Sequence, residues 1–254
     1  MRKVKINSGS RILSGTLSTK NYSQPGIIIA HSFRNNQNEA VCRDAFEYFA
    51  KNGYNTFSFD FTGHGESEGD ISDLSYQTIT QDITAVKEFL DCHSTGLGAF
   101  GISLGSFATA LSPVVFRAQT LLSPSPLLKP DQMYLRYKDQ ISKKTRVLNK
   151  NGYIELNSAS GRGKFRMGQD WINEMKVMKS NLLEKYCSKT TPTLIIDGTK
   201  DDLTDISELK KTAKNKLNCE LVIIPNADHN FTTPTHRKRV ISLSRRFFDK
   251  YFKR

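Results

Sequence analysis

Leu97-Gly98-Ala99-Phe100-Gly101-Ile102-Ser103-Leu104-Gly105-Ser106 is the stretch of this 254-residue chain that decides its fold. A short apolar strand runs into Gly101-Ile102-Ser103-Leu104-Gly105, and the helix-forming run Phe107-Ala108-Thr109-Ala110-Leu111 follows. A serine with a glycine two residues away on either side, at a strand-to-helix turn, fits a nucleophile elbow. Such a turn forces the serine into a strained backbone conformation, and only small neighbours let strand and helix approach. Ser103 Oγ is then expected to project from the carboxyl end of a parallel sheet, with the Leu104 N–H facing the same point. Glycine and serine are common in turns of every kind. The elbow therefore needs a histidine, an acid and a second N–H donor from elsewhere in the chain.

Working outward, residues 3–6 and 11–17 flank Asn7-Ser8-Gly9-Ser10 and read as a hairpin. Ile27-Ile28-Ile29-Ala30 is a continuous apolar run, the pattern of a strand covered on both faces by helices. From Asn38 to Asn52 the apolar spacing is helical and stops at Asn52-Gly53. Tyr54–Phe61 reads as a strand leading into Thr62-Gly63-His64-Gly65-Glu66-Ser67, and Gln77–Asp91 is helical again before the elbow. Ala118–Leu122 is the next strand. After an irregular stretch, Pro192–Gly198 and Cys219–Pro225 resume strands around a helix over Leu203–Leu217, and a basic amphipathic helix ends the sequence. Alternating strands and helices argue an α/β fold with a mostly parallel, twisted sheet and right-handed crossovers.

Residues 124–190 interrupt that alternation and read as an inserted cap, leaving 1–123 and 191–254 as the core. In the cap, Lys129–Leu148 looks helical, Tyr153-Ile154-Glu155-Leu156 is a short strand, and Met167–Leu183 looks helical around Trp171, Met175 and Met178. Excursions at the carboxyl edge of such sheets are where substrate selection usually sits. Trp171, Met167, Met175 and Met178 are candidates to line an apolar pocket, although such residues at helical spacing are more often ordinary core.

The formal net charge is +12, and it is unevenly spread. Residues 124–190 hold fourteen Lys/Arg against six Asp/Glu, and residues 236–254 hold eight against one, so the remainder is slightly acidic. In the last segment the charges alternate with apolar groups at helical spacing, which favours a solvated basic face over a nucleic-acid site. No run of about 18 apolar residues suggests a membrane span, and no signal-peptide core follows the basic amino terminus. Cys42, Cys92, Cys187 and Cys219 are widely separated, as expected of free thiols in a reducing, cytoplasmic compartment.

Serine needs a base to take its proton, and the base works best when a buried acid fixes its tautomer. Of the five histidines, His229 stands just after a late strand, at the same sheet edge as Ser103. Asp197-Gly198-Thr199-Lys200-Asp201-Asp202 follows the strand before it. Asp197 still belongs to that strand, so Asp201 or Asp202 is the acid; Asp201 is the first choice, and Asp202 suits capping the next helix. The chain order is Ser103, Asp201, His229.

That order, together with the local motifs, resembles the α/β-hydrolase superfamily over about residues 25–252, and in particular its small esterase and serine-aminopeptidase-like branch, which includes cinnamoyl esterases. Ile28-Ile29-Ala30-His31-Ser32-Phe33 is similar to the strand-then-His-Gly oxyanion segment. Asp60-Phe61-Thr62-Gly63-His64-Gly65-Glu66-Ser67 is similar to the D-x-x-G-x-G-x-S turn, Gly198-Thr199-Lys200-Asp201 to the acid loop, and Asn226–Phe231 to the histidine loop. Two positions depart from the pattern: Ser32 and Ser106 stand where glycine is usual. The resemblance implies an α/β-hydrolase fold, with backbone N–H groups of Phe33 and Leu104 as oxyanion donors; His31, Trp171 and Met175 are the candidate substrate contacts.

The expected activity is cleavage of a small-molecule carboxylic ester through an acyl-enzyme, with no metal or organic cofactor. A peptidase or amidase, or a thioesterase or acyl transferase with a charged acyl donor, would use the same triad. A silent hydrolase-fold binding module is the reading from a different class.

Overall fold

The computed structural model describes residues 1–158, 163–177 and 180–252. The amino-terminal hairpin is β1 (Arg2–Ser8) and β2 (Arg11–Ser18), paired antiparallel. Next come β3 (Gly26–Ala30), α1 (Ala40–Lys51), β4 (Asn55–Phe59), α2 (Tyr76–Asp91), β5 (Leu97–Ile102), α3 (Leu104–Leu111) and β6 (Ala118–Leu122). The strands β3 to β6 are buried at every position, and β3 and β5 accordingly read as apolar runs rather than alternating ones.

After β6 the chain leaves this sheet through α4 (Ser125–Leu128), α5 (Gln132–Asn151), β7 (Tyr153–Asn157), β8 (Lys164–Gly168), α6 (Gln169–Val177) and α7 (Ser180–Ser188). It returns as β9 (Thr193–Gly198), α8 (Ile206–Asn215), β10 (Cys219–Ile224) and α9 (Pro234–Tyr251). The large sheet has the order β1-β2-β4-β3-β5-β6-β9-β10; β2 is antiparallel to both of its neighbours, and all other pairs are parallel. Strand order reverses between β3 and β5, which opens a crevice at the carboxyl ends where ligands of open α/β sheets bind.

Strand periodicity divides the core in two. Ile27 and Ile29 of β3 join Phe100 and Ile102 of β5 in a layer with α1 and α9. Ile28 and Ala30 face the other way, into a layer with Ile83 and Val86 of α2 and Phe107 and Leu111 of α3. The basic terminal helix α9 contributes Val240, Ile241, Phe247 and Phe248 to the first layer. Its Arg237 Nε donates to Asp44 Oδ2 at 2.7 Å, so part of its charge is spent on packing against α1. No helix of the described residues is long and apolar enough to cross a membrane.

The excursion between β6 and β9 differs from the sequence expectation in one respect. Met167–Leu183 is not a single helix: Met167 lies in β8, which pairs antiparallel with β7, and the helical part is split between α6 and α7. Met178 lies outside the described residues. The helix expected to begin near Leu203 begins at Ile206, and its cap is Asp205, whose carboxylate accepts the Ser207 N–H at 2.9 Å. Asp202 does not cap it.

Candidate active site

Ser103 sits between β5 and α3 with φ 51° and ψ −108°, a conformation that strains any residue bearing a Cβ. Its N–H is held by Leu122 O at 2.9 Å. The flanking glycines are demanded by space: a Cβ on Gly105 would lie 2.1 Å from Ala30 O, and one on Gly101 would lie 2.5 Å from the Gly105 backbone. Ser106, where glycine was expected, is fully buried, and its Oγ lies 2.8 Å from both Gly101 O and Leu122 O. That hydroxyl fastens the first turn of α3 to two strands, so the extra atoms crowd nothing.

The acid and histidine loops are stitched together at the ends of β9 and β10. Lys200 N–H donates to Ala227 O at 2.9 Å and Asn226 N–H to Thr199 Oγ1 at 2.8 Å. Ser123 Oγ, just past β6, donates to His229 O at 2.8 Å. His229 Nδ1 then lies 2.7 Å from Asp201 Oδ2, while Asp201 Oδ1 accepts the Leu203 N–H at 2.8 Å. Of the two aspartates left open by the sequence, Asp201 is buried against the imidazole and Asp202 is exposed. Burial by itself would raise the Asp201 carboxyl; the hydrogen bond and charge of His229, with the Leu203 N–H, overcome it and hold the carboxyl below its usual range. Asp197, at the end of β9, goes the other way: burial, then the charge of Asp201, push it up.

The loop after β3 carries Phe33, and several groups hold it that the sequence did not reveal. Glu39, just before α1, accepts the Ser32 N–H at 2.9 Å with Oε2 and the Ser32 hydroxyl at 2.7 Å with Oε1. Ser32 is thereby turned into the protein, and its side chain anchors the loop. Burial raises the Glu39 carboxyl, against the lowering effect of its bonds to Ser32 and the charge of His229. His64 Nε2 accepts the Arg34 N–H at 3.3 Å, and Arg34 itself has φ 60°. The turn bearing His64 is tied down by Asp60, whose carboxylate accepts from Gln37 N at 2.7 Å and Glu66 N at 2.9 Å.

His31 is placed differently from its expected role. It is fully buried: Nε2 accepts the Phe61 N–H at 3.1 Å, so Nδ1 carries the proton and donates to Ser32 O at 2.7 Å. Burial, then the neighbouring His64, lower its pKa to about 3. It does not reach the cavity described next, and the expectation of substrate contact gives way to a structural role beneath the loop.

A cavity of about 310 Å³ opens over the elbow and is lined by Ser103, His229, Phe33 and Leu104. Neither the Phe33 nor the Leu104 N–H is taken by an acceptor among the described residues. The far wall comes from the excursion, with Phe165, Trp171 and Met175 against Phe107 of α3. Phe165 was not singled out by the sequence; Met167, which was, is buried in β8 away from the cavity.

The family model described as the alpha/beta hydrolase family matches residues 27–243. No curated protein matches the sequence. Among solved structures, Est1E from Butyrivibrio proteoclasticus with bound ferulic acid superposes with a TM-score of 0.80 at 21% identity, over 99% of this chain and 100% of that one. An esterase from Pyrococcus furiosus gives 0.72 at 22% identity, over 99% and 91%. Alpha/beta hydrolase domain-containing protein 10 from mouse gives 0.73 at 19%, over 98% and 99%.

Proposed function

We propose that this chain, which belongs to the alpha/beta hydrolase family, is a serine hydrolase of carboxylic esters with Ser103 as nucleophile. The observation that carries the reading is the strained elbow serine facing the same cavity as a histidine already bonded to a buried carboxylate. Asp201 accepts the proton-bearing Nδ1 of His229, which leaves Nε2 unprotonated and able to act as base.

His229 Nε2 takes the Ser103 proton as Oγ bonds to the ester carbonyl carbon. The carbonyl oxygen becomes an oxyanion, received by the Phe33 and Leu104 N–H groups at the positive end of α3. The C–O bond to the alcohol breaks, and His229 returns its proton to that leaving oxygen. Water then loses a proton to His229 and attacks the acyl-enzyme; the acid departs and Ser103 regains its proton. Asp201 stabilises the imidazolium in both halves.

Residues 124–190 act as the cap of the site, supplying the apolar wall of Phe165, Trp171 and Met175. The ferulic acid held by Est1E and the esterase name of the Pyrococcus furiosus protein support an ester, with an aryl or alkyl acyl group against that wall. Hydrolysis of p-nitrophenyl esters of graded acyl length tests the reading. Turnover by the wild type that falls on the order of 10⁴-fold or more in Ser103→Ala is expected; equal rates in the two proteins would overturn it.

A further inference from the structure

We infer that the cavity selects esters bearing a carboxylate or a similar anionic group, with Arg136 as the anchor of that group; this rests on the reading of Ser103 as nucleophile. Among the cavity-lining residues, Arg34, Lys129 and Arg136 carry full positive charge and Asp202 is the single carboxylate. The three cations reach the cavity from separate elements: the loop after β3, the end of α4 and the first turns of α5.

These side chains are differently committed. The Arg34 guanidinium lies over the Phe165 ring, 4.9 Å from its centroid, and so spans from core loop to cap. Lys129 Nζ is 3.9 Å from Asp205, at the long end of an ion pair, and both groups are well exposed. Arg136 pairs with no acid among the described residues. Arg136 is itself exposed, at the rim of the cavity; Lys143 of the same helix is exposed too but does not line the cavity. The general basicity of residues 124–190 thus reaches the substrate through two cap residues, Lys129 and Arg136.

Beside these cations the lining is apolar, with Phe107, Phe165, Trp171 and Met175. A charge in a cleft with low-dielectric walls projects further than it does at an open surface, and a cleft of one sign concentrates ligands of the other. A guanidinium also offers paired donors that match a carboxylate. A substrate with an apolar body and an anionic end can answer both kinds of lining, whereas a neutral ester of equal length leaves the Arg136 charge unanswered.

The test compares kcat/KM for the mono-4-nitrophenyl ester of glutaric acid with that for 4-nitrophenyl pentanoate, which has the same chain length without the carboxylate. A second pair, 4-(acetoxymethyl)benzoate and benzyl acetate, places the charge on the alcohol side. The wild type is expected to favour the anionic member of one pair by about tenfold or more, the scale of one charge-assisted hydrogen bond. That ratio should fall about tenfold in Arg136→Gln and further in Arg136→Glu, while Lys143→Gln, on the same helix but off the cavity, keeps it. Turnover of the neutral esters with no anionic preference in either pair, or a preference that survives Arg136→Gln, overturns the inference and leaves Ser103 standing. Turnover of none of the four, with no Ser103 adduct from a fluorophosphonate, overturns the nucleophile reading and the inference together.

Discussion

His229 Nδ1 stands 2.7 Å from Asp201 Oδ2, and the carboxylate has a second tie to the Leu203 N–H. The imidazole tautomer is thus set by a group that is itself fixed in its own loop. Asp201→Asn keeps the shape but offers a donor amide or a weaker acceptor, so kcat for an ester should drop on the order of 10³- to 10⁴-fold. Asp202→Asn, at the exposed rim, should cost less than about tenfold. Steady-state kinetics of the two variants on one substrate decide between them.

Glu39 holds both the N–H and the hydroxyl of Ser32, one residue before the proposed oxyanion donor Phe33. Glu39→Ala leaves a buried N–H without a partner, at about 1–3 kcal/mol of stability. It also loosens the Phe33 N–H, and kcat should fall about 10- to 100-fold with KM little changed, since a donor aimed at the oxyanion acts in the transition state. Ser32→Ala keeps the backbone bond and should lose much less. Denaturant unfolding and kinetics on both variants give the two readouts.

His31 is neutral in the folded protein down to about pH 3, whereas an unfolded histidine takes its proton near pH 6.5. Between those values the unfolded state binds more protons, so stability falls as pH drops. From pH 7 to pH 5 this one group should remove about 2 kcal/mol. His64, also lowered by burial, adds to the loss in the same direction. Urea unfolding at the two pH values should show a smaller acid loss in His31→Gln than in the wild type, by about that amount; equal losses would contradict the assignment.

Gly105 approaches β3 so closely that a methyl group would lie 2.1 Å from Ala30 O, and backbone cannot move aside as a flexible side chain would. Gly105→Ala should cost about 3 kcal/mol or more, read as a lower denaturation midpoint. Ser106→Gly should also destabilise, by about 1 kcal/mol, because Ser106 hydrogen-bonds across two strands.

The fold was legible where local pattern and tertiary role coincide. β3 and β5 are buried on both faces and read as unbroken apolar runs; α1 has one buried stripe and reads as helical. β8 was missed, although Lys164-Phe165-Arg166-Met167 alternates as a half-buried strand should, because its partner β7 lies across a Gly/Ser-rich stretch and pairing is not local. Around the site, chain order and turn chemistry singled out Ser103, His229 and two neighbouring aspartates. They did not separate Asp201 from Asp202, a matter of which carboxylate faces the ring. Glu39 and His64 left no signal either: their contacts with Ser32 and Arg34 join residues that only the folded loop brings together. At Ser32, where the pattern has glycine, the added hydroxyl finds its acceptor in Glu39, a pairing of residues seven apart that the sequence pattern does not carry.

The most direct test of the nucleophile is covalent. A fluorophosphonate transfers its phosphonyl group only to an activated serine, with fluoride leaving, and the peptide carrying the adduct can be found by mass spectrometry. The account predicts a single adduct on Ser103, formed fast in the wild type, absent in Ser103→Ala and strongly slowed in His229→Ala. No adduct in the folded wild type, or an adduct on another serine that persists in Ser103→Ala, would contradict it.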